Sequence, residues 1–126
     1  MIGYTTVGTD HPERAAQFYD TVLAVMGAQR KFEHEDFIIW GVEDPAAPMF
    51  SIHRPHDGNA ASVGNGTMIG LRATNPEQVA AVHEAALKAG GKNEGSPGIR
   101  QEEQGFYAAY FRDLDGNKLN VHCFVQ

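Results

Sequence analysis

The chain has 126 residues, 42% of them hydrophobic and 21% charged, with a formal net charge of −6. That is the length and make-up of one soluble globular domain, and the acidic balance argues against a phosphate-backbone-binding partner, which normally demands a basic patch. Cys123 is the sole cysteine, which excludes an internal disulfide framework and favours a reducing, cytoplasmic setting. The first residues lack the charged and apolar regions of a signal peptide, and no segment approaches a membrane span, so no membrane partner is expected.

Residues Ile2 to Val7 read as a short strand, with Tyr4 and Thr6 on one face and Thr5 and Val7 on the other. Asp10-His11-Pro12-Glu13 predicts a helix start, with Asp10 as the cap and Pro12 in the first turn. Ala15, Phe18, Tyr19, Val22, Leu23 and Met26 then fall on one helical stripe, which Gly27 ends. Phe37–Trp40 and Met49–His53 read as strands, separated by Pro45 and Pro48. Between His56 and Gly66 the chain is rich in Gly, Asn, Ala and Ser, which marks a connection between two halves.

The second half repeats the first. Thr67–Leu71 predicts a strand, Thr74-Asn75-Pro76-Glu77 a second capped helix start, and Val79, Val82, His83, Ala86 and Leu87 its apolar stripe, stopped by Gly90-Gly91. Laying residues 4–27 on 68–91 pairs Tyr4 with Met68, Pro12 with Pro76, Glu13 with Glu77 and Gly27 with Gly91. Laying 51–53 on 120–122 puts Ser51-Ile52-His53 on Asn120-Val121-His122. Gly95-Ser96-Pro97-Gly98 reads as a loop, and two β-rich runs joined at Asp115-Gly116-Asn117 as a closing hairpin. In the final strand Asn120, His122 and Phe124 share one face, and Leu119, Val121, Cys123 and Val125 the other. The pattern predicts an α+β fold of two tandem βαβββ modules, about 1–56 and 66–126, in one domain curled around a cavity.

The run from Pro12-Glu13-Arg14 through Phe18-Tyr19 to Gly27, and the stretch from Tyr107 through Asp113-Leu114-Asp115-Gly116-Asn117 to Leu119, resemble the glyoxalase/bleomycin resistance/dioxygenase (vicinal oxygen chelate) superfamily. The resemblance implies paired βαβββ modules around a shared cavity, often dimeric. There many members bind a divalent metal for lyase, isomerase or dioxygenase chemistry, while others bind small molecules without one. It also places the family's metal ligands at four positions, which here hold Tyr4, Ser51, Met68 and Asn120. A thioether is soft, a phenol must lose a proton of high pKa, and amide oxygen carries no net charge, so no family-type metal and no other cofactor is expected.

Alternation adds Thr6, His53, Arg72 and His122 to the same cavity wall, so the candidate ligand site is Tyr4, Thr6, Ser51, His53, Met68, Arg72, Asn120 and His122. The leading expectation is a small-molecule-binding homodimer. The alternative is a lyase, isomerase or dioxygenase, either metal-free with His53 or His122 as base or using a displaced metal on that pair. Three signals carry less: Asp113–Asn117 imitates a calcium loop but lacks its closing Glu, Cys123 faces the apolar side, and His11, His34 and His56 fall in turns or loops. His83 lies on the helical stripe and is expected to pack.

Overall fold

The computed structural model describes residues 1–126 as an α+β fold of two tandem modules. In module 1, β1 (Tyr4–Gly8), α1 (Pro12–Ala24), β2 (Gln29–Glu33), β3 (Phe37–Gly41) and β4 (Met49–His53) follow one another. Module 2 repeats the order as β5 (Ile69–Arg72), α2 (Pro76–Lys88), β6 (Lys92–Gln101), β7 (Phe106–Arg112) and β8 (Lys118–Phe124). Each module makes one four-stranded mixed sheet, ordered β1-β4-β3-β2 and β5-β8-β7-β6, with its first strand at an edge and parallel to its last. No helix is long and apolar enough to cross a membrane.

The internal repeat is realised closely in the helices, both of which span 13 residues and carry Pro at the first turn. Their caps differ. Asp10 does not cap α1; its carboxylate accepts from the Ala61 amide at 2.8 Å and fastens the 54–68 connection to module 1. His11 occupies the cap position without a side-chain bond, its own amide being taken by Thr9 Oγ1. In α2 the cap within the Thr74–Glu77 run is Asn75, which accepts from Gln78 N at 2.8 Å. Such a cap contributes about 1 kcal/mol.

Two strands were illegible in the sequence. β2 is mostly exposed and bulged between Arg30 and Phe32, so its alternation is broken. β6 runs through Gly95-Ser96-Pro97-Gly98, which reads as a loop. The segment pairs with β7 at Gly95↔Tyr110 and Gly98↔Ala108, with register shifts on either side. As an edge strand with only one neighbour it tolerates both the proline and the irregularities.

One buried cluster runs through both modules. Val7, Ile38, Trp40, Phe50 and Ile52 face α1 from the first sheet, and Ala109, Phe111, Leu119, Val121 and Cys123 face α2 from the second. Phe18 of α1 meets Phe111 of β7 with ring centroids 6.4 Å apart, and α1 touches α2. The junction is also polar. Tyr19 Oη donates to Asp113 Oδ2 at 2.6 Å, Asn117 Nδ2 donates to the Gly8 carbonyl at 3.0 Å, and Gln78 Nε2 to the Val25 carbonyl at 3.1 Å. Burial, then the Asp113 carboxylate, holds the Tyr19 hydroxyl well above its ordinary pKa, so it remains a donor.

Candidate functional site

Pairing registers decide which side chains share a face. Across β5, β8 and β7, Gly70 sits beside Asn120 and Arg72 beside His122, while Tyr110, Ala108 and Phe106 lie beside Asn120, His122 and Phe124. All eight therefore lie on the face of the second sheet turned away from α2. The expected two-face reading of the last strand holds: Leu119, Val121 and Cys123 are buried on the other side.

On this face His122 is half-buried, and its Nδ1 faces Asn120 Oδ1 at 2.9 Å. An amide oxygen only accepts, so Nδ1 carries the proton and Nε2 presents its lone pair outward. Burial, then the nearby Arg72 guanidinium, lowers the His122 pKa, which favours the neutral ring near pH 7. Phe106 and Phe124 border the imidazole, with centroids 5.4 and 6.1 Å from it. Arg72 lies over Phe124, 5.8 Å from its centroid. Gly70 leaves the approach open: a Cβ there would come within 3.1 Å of Asn120 Oδ1 and 3.3 Å of His122 Cε1.

Gly70 and Arg72 also belong to the rim of a cleft of about 450 Å³ between the modules. Its walls come from the end of α1 and the residues after it (Leu23, Met26, Ala28), from β3 and β4 (Trp40, Phe50), and from Ile69 and Leu71 of β5. The polar face of β8 and this apolar cleft are thus joined along one edge strand.

The eight residues expected at the site divide between the sheets. Arg72, Asn120 and His122 come together in module 2. Tyr4, Thr6, Ser51 and His53 share the corresponding open face of module 1. Met68 lies just before β5, 41% exposed. No hydrogen bond or ring contact joins the two groups: His53 stacks on Phe37 at 5.4 Å, whereas His122 meets Phe106. Of the eight, Arg72 alone lines the cleft. The sequence reading missed Phe106 and Gly70. The hairpin register would have found the first, and a glycine inside a strand is a signal of close approach for the second.

The donor set does not fit the family's metal. Ser51 Oγ donates to the Thr5 carbonyl at 2.8 Å, Asn120 Oδ1 is engaged by His122, and Tyr4 is 62% exposed. Nowhere do three or more His, Cys, Asp or Glu side chains converge as a metal site requires. Of the remaining histidines, His83 is buried against Asn93 Oδ1 at 3.0 Å, and His34 stacks on Phe37.

The family model described as Glyoxalase/Bleomycin resistance protein/Dioxygenase superfamily matches residues 1–121, and the chain belongs to that superfamily. A crystal structure of a glyoxalase/bleomycin resistance protein from Albidiferax ferrireducens T118 is 33% identical, with 99% of each chain covered and a TM-score of 0.89. A glyoxalase-related enzyme from Fulvimarina pelagi is 18% identical over 98% of this chain and 87% of that one, with a TM-score of 0.75. A lactoylglutathione lyase from Agrobacterium tumefaciens is 17% identical over 98% and 92%, with a TM-score of 0.71. The last two share the fold alone. No curated protein sequence matches the chain significantly.

Proposed function

We propose that this protein is a small-molecule-binding member of the superfamily that operates without the family's metal, as a cytoplasmic homodimer. The observation that carries the reading is the contrast at the site. The side chains at the family's ligand positions are non-ligating, exposed or already hydrogen-bonded, while Arg72, His122 and an apolar cleft stand open beside them. A concave, mostly apolar cavity with a few convergent polar groups is the form small-molecule sites take. The homodimer is supported by exposed apolar side chains that lie outside the cleft, Tyr4, Phe32 and Met68.

Ligand panels followed by thermal unfolding test this, since a compound at a hundredfold its Kd adds about 2.7 kcal/mol of stability. Stabilisation by at least one compound, unchanged after exhaustive chelation, is the expected result. Binding that disappears on chelation and returns with a divalent ion would overturn the metal-free reading. A second reading, a metal-independent enzyme, is favoured by one feature: the outward lone pair of His122 Nε2, which is what a general base needs. His122→Gln would abolish turnover while leaving ligand affinity within a few-fold, whereas equal loss of both assigns His122 to binding.

A further inference from the structure

The cleft between the modules is lined by 16 residues, 11 of them hydrophobic, and Arg72 is the only one that ionises. That is a notable bias in a chain with 16 Asp and Glu against 10 Lys and Arg. Its volume of about 450 Å³ falls in the range of roughly 300–1,000 Å³ typical of small-molecule sites.

Arg72 is also alone among the arginines in having no polar partner. Arg14, Arg30, Arg54 and Arg112 each pair with a carboxylate, and Arg100 donates to the Ser96 carbonyl at 2.6 Å. The Arg72 guanidinium makes no hydrogen bond or ion pair and meets the Phe124 ring. A guanidinium has five donors in a planar fork that matches a carboxylate, and one standing at the mouth of an apolar cleft is complementary to an anion with an apolar body. The missing side chain of Gly70 leaves open the space beside Arg72 that Asn120 and His122 border.

We propose that the cleft takes an amphiphilic monocarboxylate, an acid carrying an aryl or alkyl body, with the body against Trp40, Phe50, Ile69 and Leu71 and the carboxylate on Arg72. This rests on the small-molecule-binding reading and specifies its ligand class. A dianion or a large polar substrate is disfavoured, because the walls offer a second charge no counter-ion. A cation is disfavoured by Arg72 itself.

Trp40 is the only tryptophan and lines the cleft, so its fluorescence reports occupancy. The probes are 4-phenylbutyrate, its isosteric amide and 4-phenylbutylamine, titrated into the full chain. The acid is expected to quench or shift Trp40 emission with an affinity about tenfold or more above the amide's, with the amine weakest. Arg72→Gln, at an exposed position where folding is not at stake, should reduce the acid to the amide's affinity. Gly70→Val should weaken acid and amide alike by placing carbons against Asn120 and His122. Equal affinity of acid and amide for the unaltered protein, or an acid preference that survives Arg72→Gln, overturns the carboxylate assignment while leaving small-molecule binding standing. If none of the three perturbs Trp40 the assignment is overturned too. The thermal-unfolding panel then decides whether small-molecule binding falls with it.

Discussion

In β4 the imidazole of His53 lies nearly parallel to Phe37, with 10° between the planes, and its Nδ1 faces the neighbouring Arg54 carbonyl. In β8 the imidazole of His122 tilts 34° from Phe106, and its Nδ1 faces Asn120 instead. The His–Phe pair is common to both modules; its surroundings are not. The strand beside His53 offers Gly8, where the strand beside His122 offers Arg72. One step earlier, Thr6 stands beside a Ser51 already bonded to the Thr5 carbonyl, and Gly70 stands beside an Asn120 bonded only to His122. Module 1 has thus closed its polar groups onto its own backbone, while module 2 has kept a cation, an imidazole and a gap open to a ligand. A repeated scaffold gives two equivalent walls, and small substitutions on one of them are enough to make it the binding wall.

The turns that follow β3 and β7 differ in the same way, and breaking each measures the difference. Asp44 is exposed and accepts one bond, from the Ala46 amide. Asp113 is 5% exposed and accepts four: from Tyr19 Oη, Asn117 Nδ2, and the amides of Asp115 and Asn117. Asp113→Ala strands the fully buried Tyr19 hydroxyl and the Asn117 amide that also holds Gly8, so a loss of about 3 kcal/mol is expected in denaturant titration. Asp44→Ala should cost about 0.5 kcal/mol. Equal costs would mean that the module junction does not depend on this turn.

A smaller effect separates the modules by pH. Module 1 braces α1 with a charged cluster: Arg30 donates to Asp20 at 2.7 and 2.9 Å, and Trp40 Nε1 donates to the same carboxylate at 2.9 Å. Module 2 braces α2 with the His83–Asn93 pair, which contains no carboxylate. The Arg30 bonds lower the Asp20 pKa. A depressed carboxylate stabilises the fold above its unfolded pKa of about 4 and loses that contribution as pH falls through the folded value. The group is 41% exposed on its side chain, so the contribution is about 1 kcal/mol or less. Asp20→Asn should therefore be less stable than the unaltered protein at pH 7, and the gap should narrow as the solution is acidified below pH 4. A gap independent of pH would show that the Trp40 bond, not the charge, does the bracing.

Much of the fold was legible because the helices announce themselves. Pro12 and Pro76, the two apolar stripes and the stopping glycines recur at matched places, and both helices form where they predict. β8 was legible because one side of it is buried and its alternation is clean. β2 and β6 were not, since edge strands with bulges are held by one neighbour's backbone rather than by their own pattern. At the site, alternation placed Asn120, His122 and Arg72 on one face correctly. What it lacked was the relation between the two sheets. The joining of the modules depends on long-range contacts such as Tyr19 with Asp113, which no local period encodes, and His53 and His122 each make their ring contact within their own sheet.

The smallest expected effect tests the open wall directly. His122 is held below the ordinary imidazole pKa of about 6.5 by burial first and by Arg72 second. In the window between the folded and unfolded values the unfolded chain binds more protons, so this residue makes stability rise with pH there. Arg72→Gln removes the second cause and leaves the first, because the flanking Phe106 and Asn120 remain. The His122 resonance, followed by NMR titration, should then move its midpoint upward without reaching that of an exposed imidazole. The substitution has no counterpart in module 1, since Gly8 already stands beside His53. If the His122 midpoint stayed where it was, Arg72 would lose its place as the local cation of the module 2 wall. If it moved upward, the cation and the imidazole are close enough to act on one bound ligand.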